Sequence, residues 1–116
     1  MAYVRDISKG YIYEINGGWF RDIQNGGYAY QIQGDWVRSV SGGFVYQFQG
    51  DWIRSVNKGF VLKMEGNWVK NVSGGYVAEI QGDWIRMISG GFQYKIEGSI
   101  SQSEKLALVA ILFGGR

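Results

Sequence analysis

The chain of 116 residues contains no cysteine, no proline and no histidine. The absence of cysteine excludes a disulfide framework. The absence of histidine removes the commonest acid–base catalyst and the commonest metal ligand. Nucleophilic catalysis would have to rest on serine or lysine without the partner that usually activates them. We therefore predict no catalytic residues, no bound metal and no cofactor, and a protein that is not an enzyme.

The chain also has little net charge. Its 12 basic and 10 acidic residues are scattered and give +2, whereas nucleic-acid binding needs a clustered basic face. We expect no secretory leader, because no charged and then apolar segment precedes the first strand, which is expected at Tyr3. We expect a cytoplasmic protein without a nucleic-acid partner, although the mature form of a secreted protein would look the same.

What the chain does contain is a repeated unit of sixteen residues. Gly43 to Asn57 reads GFVYQFQGDWIRSVN, and the pattern returns from Gly59 (GFVLKMEGNWVKNVS) and from Gly75 (GYVAEIQGDWIRMIS). Two earlier copies precede these, and half a unit stands at each end of the repeat region. Self-similarity at a fixed period is the signature of a repeat architecture.

Two kinds of turn divide each unit into runs of about six strand-forming residues. Gly50-Asp51 has glycine first, which favours a type II′ hairpin turn. Gly42-Gly43 has glycine second, which suits a type I′ turn or a type I turn with a bulge. Such turns every eight residues predict an all-β protein of about twelve short antiparallel strands in an up-and-down meander. An extra residue at 25–27 predicts a bulge there.

The two-residue turns assign each side chain to a face. On one face large rings alternate with small residues, as a packed layer requires, and we expect it to be the inner one. Around the Gly50-Asp51 hairpin this face carries Phe44, Tyr46, Phe48, Val37, Ser39 and Ile53. The opposite face, with tryptophan, arginine and glutamine, should be the wetter one.

The C-terminal segment differs in kind from the repeats. We predict a single domain over 1–116, with repeats over 3–97, a linker over 98–102 and an apolar helix over 103–113, capped by Ser103. From Leu106 the helix is apolar all round and must be buried on every side. It is too short to cross a bilayer, which takes roughly twenty residues. A sheet curled into a barrel would enclose it.

Twelve short antiparallel strands followed by the apolar stretch EKLALVAILF resemble the tubby-like barrel of tubby C-terminal domains, phospholipid scramblases and LURP-one-related proteins. The resemblance spans the whole chain and depends on strand count and the C-terminal segment. It implies that the helix threads a closed barrel and that the ligand is a lipid headgroup.

Two questions about the architecture stay open at this point. Identical symmetric hairpins give no net stagger, whereas a closed barrel needs shear; a slip of each Gly42-Gly43 type of turn onto Ser41-Gly42 would supply it. The alternative is a parallel β-solenoid with sixteen residues per coil and a helical cap, which would stack like charges about 4.8 Å apart.

The most regular side chains form a tryptophan row and a basic row two residues further on. Exposed tryptophan beside arginine could stack sugars or hold anionic headgroups. The alternative interpretation is that these side chains pack on one another and recur through duplication. The candidate ligand-binding residues are Trp36, Arg38, Trp52, Arg54, Trp68, Lys70, Trp84 and Arg86.

Three hypotheses about function follow. The first is a non-enzymatic binding or scaffold module, whose partner would be a lipid headgroup, a glycan or a protein. The second is a structural protein that self-associates through open sheet edges or the apolar C-terminal segment. The third is a hydrolase that uses carboxylates such as Asp22 beside the irregular turn at 25–27.

Overall fold

The computed structural model of the protein describes residues 1–115, which form twelve strands and one helix. Short strands of four residues alternate with longer ones through most of the chain. The elements are β1 (Ala2–Asp6), β2 (Gly10–Asn16), β3 (Trp19–Asp22), β4 (Tyr28–Gln33), β5 (Trp36–Ser39), β6 (Gly43–Gln49), β7 (Trp52–Ser55), β8 (Gly59–Glu65), β9 (Trp68–Asn71), β10 (Tyr76–Gln81), β11 (Trp84–Met87), β12 (Gly91–Gly98) and α1 (Gln102–Phe113).

The strands form one closed antiparallel ring. Each strand pairs with its neighbours in sequence, and β1 pairs with β12 from Ala2↔Gly98 to Asp6↔Tyr94. The predicted meander closed into a barrel is therefore confirmed. The parallel solenoid is excluded, because all the paired strands run in opposite directions.

The turns with glycine first form the expected two-residue hairpins. Around Gly50-Asp51, Gln49 pairs with Trp52 and Gln47 pairs with Arg54. Gly50 has φ 63°, in the region that a type II′ turn requires of its first residue.

The turns with glycine second are slipped. Val37 pairs with Tyr46, two residues away from the unslipped partner Phe48, and the register then shifts so that Arg38 pairs with Phe44. Gly42 N donates to Ser39 O at 3.3 Å, and Gly43 follows with φ 86°. Of the two predicted turns, a type I′ turn and a turn with a bulge, the structure has the second: a tight turn followed by a glycine bulge.

The slipped register provides the stagger that closure needs. The same irregularity occurs at six junctions, those of β1/β2, β3/β4, β5/β6, β7/β8, β9/β10 and β11/β12. At about two residues each, these offsets sum to about twelve residues around the ring, which tilts the strands as a closed barrel requires.

The bulge also changes the face of one predicted core residue. Tyr46, Phe48, Val37, Ser39 and Ile53 are buried, as expected for the inner face. The prediction that Phe44 points inward is wrong, since Phe44 is 45% exposed. One residue beyond the bulge, the side chain turns to the outer face.

The extra residue at 25–27 does not add a bulge of its own. The register shift between β3 and β4 is the one that all six junctions share. The additional residue lengthens the turn instead: Asp22 N donates to Gly27 O at 2.9 Å, and Gly26 and Gly27 have φ 80° and 76°.

The helix is enclosed by the barrel. Four consecutive residues, Ala107 to Ala110, have no exposed surface, which leaves no face of the helix in solvent at this level. Gly18 N donates to Glu104 Oε2 at 3.0 Å where the helix begins, and Lys58 Nζ donates to Gly115 O at 3.0 Å beyond its end. Because the turns at Gly18 and Lys58 lie at opposite ends of the strands, α1 runs through the lumen.

The start of the helix differs from the prediction. The N-cap is Ser101 and not Ser103; its side chain accepts from Glu104 N, and Glu104 accepts from Ser101 N. This reciprocal capping box starts the helix earlier than expected. Since β12 also extends to Gly98, the linker is shorter than the predicted 98–102.

The enclosed helix leads to a stability prediction. Replacing fully buried Leu108 by alanine should lower the free energy of unfolding by about 2–5 kcal/mol, because it leaves a cavity in the barrel core. Replacing Ile88, which is 42% exposed at the barrel end, should cost about 0.5 kcal/mol or less. Urea unfolding of both variants measures the difference. Equal small losses would contradict an enclosed helix.

Candidate binding surface on the outside of the barrel

Six aromatic pairs encircle the outside of the barrel. Each pair joins a ring near the start of one strand to the first ring of the next strand, with centroids 5.2–5.9 Å apart. We call the six pairs the aromatic belt: Tyr3–Tyr11, Trp19–Tyr28, Trp36–Phe44, Trp52–Phe60, Trp68–Tyr76 and Trp84–Phe92.

The belt is produced by the bulge. In β5 and β6, Trp36 faces Gln47 while Arg38 faces Phe44, so the two rings are diagonal neighbours on one face. Their centroids lie 5.3 Å apart with the rings tilted by 58°. Edge-on or tilted contact of this kind is the favourable arrangement for aromatic rings.

Cations from the neighbouring unit cover the tryptophans. Arg54 lies 5.7 Å from the centre of the Trp36 ring, and Arg38 and Arg86 lie similarly over the tryptophan of the preceding unit. Over Trp52 the cation is Lys63, at 4.9 Å. The two predicted rows therefore do meet, across units and not within one. Such cation–π contacts at exposed sites contribute about 0.5–1 kcal/mol each.

The arginines are also held by hydrogen bonds within the sheet. Arg54 Nε donates to Gln47 Oε1 at 3.1 Å, and Arg86 forms an ion pair with Glu79 at 3.0 Å. Lys70 departs from the row, since Lys63 takes the place over the Trp52 ring. The pKa of Glu65 is lowered first by the hydrogen bond from the Tyr76 hydroxyl, and the charges of Lys63 and Lys70 add to this. The packing interpretation thus accounts for much of the basic row.

The second ring of each pair is the more exposed one. All six second rings are exposed, whereas among the tryptophans only Trp52 and Trp68 are exposed and the others are half-buried. The exposed partner rings are Tyr11, Tyr28, Phe44, Phe60, Tyr76 and Phe92. Sequence reasoning missed them, because it placed this position inside. The signal that could have found them is the Gly42-Gly43 type of turn, whose bulge alternative reverses this position.

The pair at the barrel seam, where β1 meets β12, has a polar surround of its own. Tyr3 Oη donates to Glu14 Oε2 at 3.1 Å, and Tyr11 Oη donates to Glu97 Oε1 at 2.7 Å. Arg21 Nε donates to Glu14 Oε1 at 2.8 Å. The Arg21 and Tyr3 hydrogen bonds lower the pKa of Glu14, and the carboxylates raise the pKa of both tyrosines.

Two carboxylates at one end of the barrel, those of Asp22 and Asp6, stabilise the turns that follow them by accepting hydrogen bonds. Asp22 accepts from Asn25 N, Asn25 Nδ2 and Gln24 N, each at 3.0 Å. The backbone N–H of Asn25 is the first cause of its lowered pKa. In Asp6, burial acts to raise the pKa, but hydrogen bonds from Ser8 and Gln93 outweigh it and the pKa is lowered. Both residues fix the chain reversal that follows them.

Across residues 1–115, no group of three or more histidine, cysteine, aspartate or glutamate side chains is arranged to hold a metal ion. Within the same residues, no helix has the length and apolar character needed to cross a membrane.

No match to this chain was found among protein-family models, curated proteins or solved structures. The function must therefore be argued from the geometry of the barrel itself.

The turn carboxylate leads to a prediction about pH. Because the pKa of Asp22 is lowered on folding, its contribution to stability is present above its unfolded value of about 3.8 and is lost as the pH falls through the folded pKa. Asp22→Asn should therefore reduce the free energy of unfolding at pH 7 by about 0.5–1 kcal/mol. The difference from wild type should shrink in acid.

Urea unfolding of both proteins between pH 7 and pH 2 measures this trend, with Asp51→Asn in a two-residue turn as the matched control. A difference that stays constant over the whole range would show that the Asp22 charge has no part in the turn.

Proposed function

We propose that the protein is a non-enzymatic binding module whose ligands contact the aromatic belt. The observation that carries this proposal is the exposure of the belt: Phe44, Phe60 and Phe92 are each at least 45% exposed although they lie within a regular sheet. Exposed apolar side chains that recur as a connected surface are typical of interaction sites.

The geometry favours a glycan over an anionic lipid headgroup. The guanidinium groups of Arg38, Arg54 and Arg86 already lie over tryptophan rings and donate to glutamine or glutamate. An anion would have to compete with those partners. A sugar needs an open ring face and nearby hydrogen-bonding groups, and the belt offers both. The lipid headgroup, implied by the resemblance to tubby-like barrels, remains the second candidate ligand.

Self-association is the alternative function. The closed ring leaves no unpaired strand edge within residues 1–115, and α1 lies inside. The open sheet edges and the apolar C-terminal segment, which were first considered for assembly, are therefore both occupied within one molecule. Contact between belts of two copies is the route that remains, and it supports this alternative only through the same exposed rings.

A paired screen tests the proposed function. Wild type should bind members of a glycan array, with weaker or no binding to vesicles of phosphatidylcholine with and without phosphatidylserine. Trp52→Ala and Phe60→Ala should each weaken array binding about three- to tenfold, since ring stacking contributes roughly 0.5–1.5 kcal/mol. Val56→Ala, exposed at the barrel end and outside the belt, is the control.

Array and vesicle signals that are absent for wild type would reject the proposal, as would signals that Trp52→Ala and Phe60→Ala leave unchanged. Light scattering over a dilution series measures the alternative: the binding module is expected to stay monomeric, whereas self-association would raise the mass with concentration.

A further inference from the structure

One of the six belt pairs is built differently from the others. At the seam, Tyr3 stands where the other pairs have tryptophan, and its partner is Tyr11 at 5.9 Å. Every tryptophan of the belt has a cation over its ring. Among residues 1–115, no cation lies over a ring of the seam pair, and Arg21, which corresponds to the covering arginines, donates to Glu14. Within residues 1–115, the seam pair is thus the belt pair in which neither ring carries a cation.

The polar groups around the seam pair balance in charge. Glu14 is bound by Tyr3 and Arg21, and Glu97 is bound by Tyr11 and lies 3.6 Å from Arg5. Two guanidinium groups and two carboxylates cancel one another. A ligand at this place meets fixed donors and acceptors that carry no net charge together.

A cavity opens beside these groups. It measures about 450 Å³ and is lined by Tyr3, Tyr11, Arg21, Ile23 and Glu97. Ligand sites for small molecules typically measure roughly 300–1,000 Å³. The two rings and Ile23 supply apolar surface, and the Arg21 and Glu97 side chains complete the lining.

We propose that the seam cavity binds a neutral polyhydroxylated ring, such as a pyranose sugar. The C–H face of a pyranose packs on a tyrosine ring. The sugar hydroxyls donate to a carboxylate and accept from a guanidinium, so that both the negative and the positive groups around the seam pair take part. A phosphate group would meet the Glu97 carboxylate as well as the Arg21 guanidinium, so that repulsion would offset attraction. This inference rests on the proposed function and assigns one of the six belt pairs a ligand class.

The chain offers a matched control for this site. Tyr76 occupies the same place in another belt pair, and its hydroxyl donates to Glu65 at 2.7 Å, as that of Tyr11 does to Glu97. Its partner Trp68 is covered by Arg86, however, so the site at Tyr76 is closed from that side. Changes at Tyr76 therefore remove an equivalent ring and hydrogen bond without touching the seam.

The experiment is calorimetric titration with the methyl glycosides of glucose, galactose and mannose, and with inorganic phosphate. Wild type should bind at least one glycoside saturably and more tightly than phosphate. Tyr11→Ala should weaken that binding about tenfold through loss of the stacking ring. Tyr11→Phe and Glu97→Gln should weaken it about threefold each. Val56→Ala, outside the belt, should leave it unchanged, and Tyr76→Ala and Tyr76→Phe, in a different belt pair, should weaken it less than the matching Tyr11 variants do.

Several results would overturn the inference: no saturable binding of any glycoside, equal losses at Tyr76 and Tyr11, or tighter binding of phosphate than of all glycosides. Tyr11→Phe keeps the ring and most of the packing, so its result does not depend on whether Tyr11→Ala folds. If Trp52→Ala and Phe60→Ala weaken an array ligand that Tyr11→Ala still binds normally, the belt proposal survives and the seam proposal fails.

Discussion

A short helix that is apolar on all sides can exist in water only if something surrounds it, and the whole barrel satisfies that need. Ala107 to Ala110 have no exposed surface, which a flat sheet packed on one side could not achieve. At about 1.5 Å per residue the twelve-residue helix is about 18 Å long, close to the shortest dimension of the molecule, 21 Å. The helix thus fills the lumen from end to end, and the hairpins supply its wall.

Closure of that wall depends on a small irregularity that recurs once per repeat. Without the slip at Val37 and Arg38, each hairpin would be symmetric and the sheet would accumulate no shear. The same bulge turns Phe44 from the lumen to the outside, where it meets Trp36. A single backbone feature therefore closes the barrel and creates the aromatic belt. The belt is a consequence of how the ring closes, which explains why it recurs in every unit.

This coupling also explains which parts of the structure could be predicted from the sequence. Turn chemistry and period predicted the strand number and favoured antiparallel order over a parallel solenoid, and the all-round apolar character of α1 predicted its enclosure. They also placed Tyr46 and Ile53 correctly in the core. The position of Phe44 could not be predicted, because Gly42-Gly43 is compatible with two turns that place this residue on opposite faces. Only ring closure, a property of the entire sheet, selects between them.

The start of the helix and the contacts at the seam could not be predicted from the sequence, for other physical reasons. Ser101 and Ser103 are both suitable caps, and the choice depends on which of them allows Glu104 to complete a capping box. The contact of Tyr11 with Glu97 joins residues at the two ends of the repeat region. No local pattern predicts such a pair, since it exists only after β1 has met β12.

The side chains at the inner positions of the repeat vary for a different reason from those at the outer positions. One inner position holds Tyr30, Tyr46, Leu62 and Ala78 in successive units, because a single helix presents a different surface to each strand and close packing demands side chains of different size. Gly114, at the end of the helix, shows how tight that fit is: an added methyl group would lie 2.6 Å from the Tyr46 hydroxyl.

The outer positions do not contact the helix, and tryptophan with a cation over its ring recurs there in five pairs. The replacement of tryptophan by Tyr3 at the seam is not required by the lumen, which that side chain does not line. Nor does closure of the ring require it, since β1 and β2 share the register shift found at the other five junctions, where tryptophan is kept. Tyr3 therefore gives the belt a chemical difference on its solvent side, beside a cavity whose lining includes both Arg21 and Glu97, and the proposed sugar site makes use of that difference.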